Sequence, residues 1–363
     1  MLRELAERLV TIDSVNPSLF ADGGGEAAVA RVVAAWLEQA GLDVHVEGAE
    51  TERPNVVGVV RGSGGGRSLL LNAHMDTVGL LDPDGGLAAR VEAGRLYGRG
   101  SYDMKGSLAA IMAAGAACAA LRLRGDVLVT AVADEEAGSI GTERLLERWH
   151  ADAAIVAEPT DEQLCIAHRG WIAFDVETRG RAAHGSRPDL GIDAIAKMGR
   201  ILIAVEERDR ALQAGSPHPL LGTGSVHASL IEGGQEYSSY PARCLLRGER
   251  RTVPGEQREQ VEAELRGLLG EADATISFPF GRDPMETSAD EPIVRAVQTQ
   301  TGSRDLHGAP FWTDAALFAE AGIPAVLYGP RGEGAHAAVE WVEVESLERC
   351  RDLYVAVASE FCA

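Results

Sequence analysis

Four short apolar runs, LLLNA (69–73), VLVTAVA (127–133), AAIVAE (153–158) and IPAVLYG (323–329), alternate with segments that read as helices beginning near Glu26, Lys105, Gly141 and Asp314. Near-continuous apolar runs of this length suit strands buried on both faces, and strands alternating with helices imply an α/β domain. The expected sheet is mostly parallel, with helices on both faces, because parallel neighbours are joined only through crossovers. A different texture interrupts this pattern from about Trp171 to Phe280. There the order is a strand (WIAFDVETRG), a helix over about 192–210, two strands (SVHASLIEGG and ARCLLRGERRTV), a helix over 256–269 and a strand near ATISFPF. That β-α-β-β-α-β order is ferredoxin-like. The expected domains are therefore residues 1–170 with 281–363, and an inserted α+β domain over 171–280.

A chain of 363 residues has room for two such domains. Its 34 basic and 55 acidic residues give a net charge of −21, a field that repels nucleic acid and anionic membrane and favours cations. The longest apolar stretch, LAAIMAAGAACAALRL, is mostly alanine and shorter than a membrane span, so it reads as a packed helix. The amino terminus, MLRELAERLVTIDSVNPS, has the pattern of an amphipathic helix rather than a signal peptide. Neither nucleic acid nor membrane is expected as a partner. The cysteines, at 118, 165, 244, 350 and 362, include no CxxC and no close pair, which excludes a zinc ribbon and fits a reducing cytosol. The glycine clusters at 23–25 and 62–66 lack the Gly-Lys-Ser/Thr ending of a phosphate loop and read as turns. No GxSxG occurs, which argues against a nucleophile-elbow hydrolase.

Residues with metal and proton chemistry gather behind the strands. His74 and Asp76 follow LLLNA, where residues two apart share a direction. Taken singly, His74 reads as well as a satisfied histidine near a sheet edge, and Asp103 in GRGSYDMKG reads as well as a helix cap. Asp134, Glu135 and Glu136 end VLVTAVA, and three adjacent carboxylates repel one another unless cations neutralise them. In extended chain Glu135 and Glu136 point to opposite sides, so one can bind metal while the other faces a water. Glu158 ends AAIVAE, and His336 lies in GPRGEGAHAAVEW after IPAVLYG. His74, Asp103, Glu136, Glu158 and His336 thus all sit behind parallel strands or in the following loops, where open α/β sheets bind ligands. Two imidazoles and three carboxylates without thiolate suit a pair of divalent ions, zinc or cobalt in character.

The ordered set HMD, GRGSYDMKG, DEE, AEPT, RAAHGSRP and GEGAHAAVEW spans almost the whole chain and resembles the M20 family of metallopeptidases. That group includes acetylornithine deacetylases, succinyl-diaminopimelate desuccinylases and carboxypeptidases. The resemblance implies that Asp103 bridges two metals, His74 and Glu158 complete one site, and Glu136 and His336 complete the other. It further implies that Asp76 orients His74, that Glu135 is the general base, and that the Asp103–Met104 peptide is cis. In the inserted domain, which the family uses as a dimerisation lid, His184 is implied to reach the partner subunit's active site in a homodimer. Arg251, ten residues after Pro241, is implied to grip a substrate carboxylate, with Arg250 beside it as the alternative. Ser238 stands where many members carry asparagine. The implied activity is release of an amino acid from an N-acyl-L-amino acid, of the acetylornithine deacetylase or succinyl-diaminopimelate desuccinylase type. A dipeptidase or carboxypeptidase would use the same metals and base; Glu135 and the full ligand set argue against a non-catalytic binding protein on the same scaffold, and a structural cation-binding protein would give no reason for Glu135 beside Glu136.

Overall fold

The apolar runs form the middle of one sheet in a computed structural model, which describes residues 2–48, 53–80 and 86–363. Helices α1 (Leu2–Val10) and α2 (Ala27–Gln39) precede strands β1 (Asp43–Glu47), β2 (Asn55–Val60), β3 (Leu69–His74), β4 (Arg90–Glu92) and β5 (Arg95–Tyr97). Then come α3 (Lys105–Cys118), β6 (Val127–Val132), α4 (Ile140–Leu146), β7 (Ala153–Val156) and β8 (Cys165–His168). At the sheet's centre β6, β3, β7 and the strand Ala325–Leu327 lie side by side, each parallel to the next. Antiparallel strands close it on the margins, β2 and β1 beyond β6, and β8 beyond Ala325–Leu327. Every residue of β2, β3, β6 and β7 is buried, so these strands lack the polar alternation of a half-solvated sheet.

The alanine run is α3, and twelve of its fourteen residues are buried. It lies on β3 and β6, and both α1 and the carboxyl-terminal helix Val344–Phe361 pack against it. Small side chains permit this depth: a Cβ at Gly115 would come within 2.5 Å of Val129. Burying a leucine such as Leu70 in this core stabilises the fold by about 1.5–3 kcal/mol. Because β3, β6 and β7 run the same way, the segments that follow His74, Val132 and Val156 emerge at one edge. A smaller sheet serves the same edge. In it Trp341–Glu343 pairs antiparallel with β5 and with Gly332–Glu333, which lays the loop after Tyr97 beside the loop before Trp341. Among the described residues no helix is long and apolar enough to cross a membrane.

Apart from Ala167 and His168 at the end of β8, these elements belong to the unit formed by Met1–Ile166, Thr287–His307 and Thr313–Ala363; the other unit is Ala167–Glu286 with Gly308–Trp312. The second unit contains β9 (Gly170–Arg179), α5 (Ala194–Gln213), β10 (Ser225–Gly233), β11 (Arg243–Thr252), α6 (Arg258–Gly267) and β12 (Ala274–Ser277). Its sheet order is β10-β11-β9-β12 with antiparallel neighbours throughout, the order that a β-α-β-β-α-β chain takes in a ferredoxin-like unit. Alternate residues of β9 (Ile172, Phe174 and Val176) join Met198, Leu246 and Leu265 in the unit's core. This unit is wider than residues 171–280, because the chain segments that enter and leave it pair with each other, Ala167 with Glu286 and His168 with Met285.

Candidate metal centre

His74 is the last residue of β3 and is 1% exposed, so the sheet itself fixes its backbone. Its Nδ1 lies 2.9 Å from the backbone oxygen of Asp76 and 3.5 Å from the Asp76 carboxylate. Both are acceptors, so Nδ1 carries a proton, and a cation bound at Nε2 would take the place of a second one. Nε2 faces Asp103, 3.1 Å from Oδ1. The other carboxylate oxygen of Asp103, Oδ2, lies 3.4 Å from His336 Nε2, and that same nitrogen lies 3.0 Å from Glu136 Oε2. Two ligand atoms on one ion with bonds of about 2.0–2.2 Å in tetrahedral array stand about 3.4 Å apart. The donor atoms form two overlapping groups, His74, Asp103 and Glu158 in one, and Asp103, Glu136 and His336 in the other, each with its ligand atoms within 4.8 Å of one another. Asp103 is common to both, turning one oxygen to each histidine.

The loops that deliver these residues differ from extended strand. β6 ends at Val132, and residues 134–138 turn, with Asp134 at φ +69°. Glu135 and Glu136 are therefore not separated by strand alternation. Their backbone N–H groups donate to the two oxygens of the Asp76 carboxylate at 3.2 and 3.1 Å. Asp76 thus backs His74 and also pins the turn that carries both glutamates. β7 ends at Val156, so Glu158 stands two residues past it, buried. The Asp103–Met104 peptide is cis.

Buried negative charge dominates the electrostatics. Burial first, and then the charge of Glu158, push the Glu135 carboxyl well above its usual value; burial and Asp103 raise Glu136, and burial raises Glu158 well above. Burial works against a charged His74 ring, but Asp103 and Asp76 raise it well above an ordinary histidine. Contact with Asp103 and Glu136 lifts His336 to about 10. Carboxylates crowded in a low-dielectric site need counter-charge, and Glu136 Oε1 is buried with no hydrogen-bond partner among the described residues. The set fits divalent cations. His74, Asp103 and Glu158 would hold one, and Asp103, Glu136 and His336 the other.

Other residues in this unit act around the site without a signal in the sequence motifs. Asn16 Nδ2 donates to Asp76 at 2.7 Å and to Asp134 at 3.1 Å. Arg53 joins Asp134 at 2.8 Å to the buried Glu26. Asp314, fully buried, accepts from the Thr142 hydroxyl at 2.6 Å and so ties the start of α4 to the helix Ala315–Glu320. Its carboxyl is raised to about 6 by burial, against the Thr142 and Ser139 hydrogen bonds.

In the second unit, His184 and Ser238 lie on adjoining loops, joined by the Gly185 N–H to Ser238 carbonyl bond of 2.6 Å. The Ser186 N–H donates to His184 Nδ1 at 3.2 Å, which puts the ring proton of exposed His184 on Nε2 as an outward donor. The Ser238 hydroxyl donates to Glu236 at 2.9 Å. Arg251 lies on the face of β11 opposite the core and its fork grips Glu249 at 2.6 and 3.1 Å. Arg250, one residue back, is fully buried and committed to Glu256, to Glu264 and to the Arg251 carbonyl. Of the two arginines, only Arg251 has a guanidinium that a ligand can reach.

The chain is similar to the acetylornithine deacetylase of Myxococcus xanthus, with 33% identity over 350 residues that cover 90% of each chain. It is also similar to that of Klebsiella pneumoniae, with 28% identity covering 99% of this chain and 97% of the other. Among solved structures it is similar to aminopeptidase PepT from Bacillus cereus (TM-score 0.82, 19% identity, covering 100% and 98% of the two chains). A dinuclear metal-binding peptidase of family M20 from Bacillus subtilis superposes with TM-score 0.74 at 17% identity, covering 99% and 97%. At such identities these likenesses establish the fold. The family model for peptidase family M20/M25/M40 matches residues 70–360, a span that takes in every one of the metal-ligand candidates, and the chain is a hydrolase belonging to that family.

Proposed function

We propose that this chain is a two-metal amidohydrolase that releases an amino acid from an N-acyl-L-amino acid, with an N-acetyl basic amino acid as preferred substrate. The observation that carries the reading is the Asp103 carboxylate, with one oxygen toward His74 and the other toward His336, beside Glu135 on the turn that also bears Glu136. The identity to two acetylornithine deacetylases supports the acyl group and the class of amino acid. Divalent ions held by these residues, zinc in this reading, would supply Lewis acidity that lowers the pKa of a water towards neutrality and polarises the amide carbonyl. Glu135 takes a proton from the attacking water as the C–O bond forms and returns it to the leaving amine as the C–N bond breaks. Asp76 holds His74 in the tautomer that presents Nε2. His184 donates from Nε2 to the developing oxyanion, and Arg251 exchanges Glu249 for the substrate carboxylate.

A homodimer belongs to this reading. β10 is an edge strand with Leu230 and Ile231 more than half exposed, and Ile203 on α5 is equally exposed. An open apolar edge of this kind is covered by pairing with a second copy. All five cysteines are free and buried, in keeping with a reducing cytosol.

The experiment is a panel of N-acetyl and N-succinyl amino acids and dipeptides, offered to zinc-loaded protein while amine release is followed. N-acetylornithine is expected to turn over fastest. Glu135→Ala is expected to keep two ions per chain and lose about 10²–10⁴-fold in turnover. Faster release from dipeptides would move the activity to a peptidase; a fully loaded chain that hydrolyses nothing in the panel would overturn the reading.

A further inference from the structure

Glu340 is four residues past His336 and 4% exposed, and its carboxylate is saturated by the loop that carries Asp103. Oε1 accepts the backbone N–H groups of Tyr102 at 2.9 Å and Asp103 at 3.0 Å. Oε2 accepts the N–H of Gly100 at 3.0 Å and Nη1 of Arg99 at 2.6 Å. Four donors from five consecutive residues therefore converge on one side chain. The buckle has a second strap, because Arg99 Nη2 donates to the carbonyl of Ala337 at 2.8 Å, next to His336. A third link runs between the main chains, from Gly98 N–H to the Glu340 carbonyl at 3.2 Å.

The Asp103 loop has other bonds, Arg99 N–H to the Gly86 carbonyl at 2.8 Å, Lys105 N–H to the Gly100 carbonyl at 2.7 Å and the Tyr102 hydroxyl to Asp161 at 3.1 Å, but none of these ties it to the loop of His336. Gly100 sits at φ +78°, and His336 itself takes φ +62°, left-handed backbone that a non-glycine residue holds only when its surroundings impose it. Neither Asp103 nor His336 lies within a helix or strand. We infer that Glu340, acting with Arg99, is the positioning residue that sets the separation of Asp103 from His336, and with it the fit of the second ion. The inference rests on the two-ion reading above. Glu340 touches no reacting atom; it acts through the loop on Asp103 and through Arg99 on the loop of His336.

The chemistry makes a sharp test available. Glutamine has the size of glutamate but only one acceptor oxygen, and its NH₂ would face two of the four donors. If Glu340 merely filled space, Glu340→Gln would be tolerated. If it positions the loop, Gln fails almost as badly as alanine. Two readouts are needed. In metal-free protein, hydrogen exchange of the Gly100, Tyr102 and Asp103 amides should be protected in the wild type and at least about tenfold faster in Glu340→Gln. In stepwise zinc titration against a competing chelator, the second ion should bind about 10–100-fold more weakly, the loss usual when an outer hydrogen-bond partner of a ligand is removed. Turnover lost at limiting zinc should return at excess zinc with KM unchanged.

Arg99→Lys separates the straps. A single ammonium can stay on Glu340 but cannot also reach Ala337, so the three amides should remain protected while the second ion weakens. Unchanged exchange or unchanged second-ion affinity in Glu340→Gln would overturn the inference. Should that variant fail to fold, Arg99→Lys with wild-type affinity for the second ion would overturn it alone. A wild-type chain that took up no zinc would sink the two-ion reading, while the exchange measurement would still decide whether Glu340 orders the Asp103 loop.

Discussion

Arg250 and Arg251 show how one residue of register separates structure from recognition. Side chains alternate across a strand, so the pair cannot share a face. The sequence places the two side by side, nine and ten residues after Pro241, and nothing local tells which turns inward. The partners that decide it, Glu256 and Glu264, come from the chain beyond β11, with the Arg250 to Glu264 contact at 3.3 Å. Arg250→Ala should strand those carboxylates and cost about 3 kcal/mol in urea unfolding. Arg251→Ala should stay within about 0.5 kcal/mol of wild type. It should instead raise KM at least about tenfold for a substrate with a free carboxylate relative to its amide. Equal KM changes for acid and amide, or a stability loss that follows Arg251, would reverse the assignment. The ligand candidates were readable because each follows an apolar strand or sits in a glycine-rich loop. Asn16 and Glu340 were not, since their partners are an aspartate at sequence distance 60 or 118 and the backbone of a loop 237 residues away.

At the scale of elements, the long buried strands declare themselves, and the short pieces that aim the site do not. β3 and β6 carry unbroken apolar runs, whereas β5 has three residues and its partner Trp341–Glu343 three, too few for any periodicity. Yet that pairing aligns the loops of Asp103 and His336. β8 is another short strand, and it places His168 in full burial, with Nδ1 at 2.9 Å from the Arg169 carbonyl and Nε2 without a partner among the described residues. Burial lowers its pKa from 6.5 to about 4. The unfolded chain therefore binds this proton more readily than the folded one, so folding is favoured above the unfolded value and stability drains away as pH falls from about 6.5 towards 4. The loss attributable to His168 is on the order of 3 kcal/mol across that window. Comparing unfolding free energies of wild type and His168→Asn from pH 7 to pH 4 isolates it. The wild type should fall more steeply, and parallel curves would show that the ring does not titrate with unfolding.

At the scale of the whole molecule, the proposed machinery is divided: every metal-ligand candidate and Glu135 belong to the unit that contains α3, and His184 belongs to the inserted unit. A site assembled from both would draw His184 from its own chain or, in the proposed homodimer, from the second copy. Two inactive variants can decide between these. Take one chain with Glu135→Ala and another with His184→Ala. If each site borrows the other subunit's histidine, a heterodimer of the two has one site lacking both residues and one site with both intact. Equal mixing makes half of the dimers mixed, so activity should return to about a quarter of wild type. If His184 serves its own chain, each site of the mixed dimer lacks one residue, and mixing restores nothing. Two differently tagged chains that co-purify establish that subunits have exchanged. With exchange so established, persistent inactivity would exclude the shared site, because a histidine acting in trans requires recovery in the mixed dimer while one acting in cis forbids it.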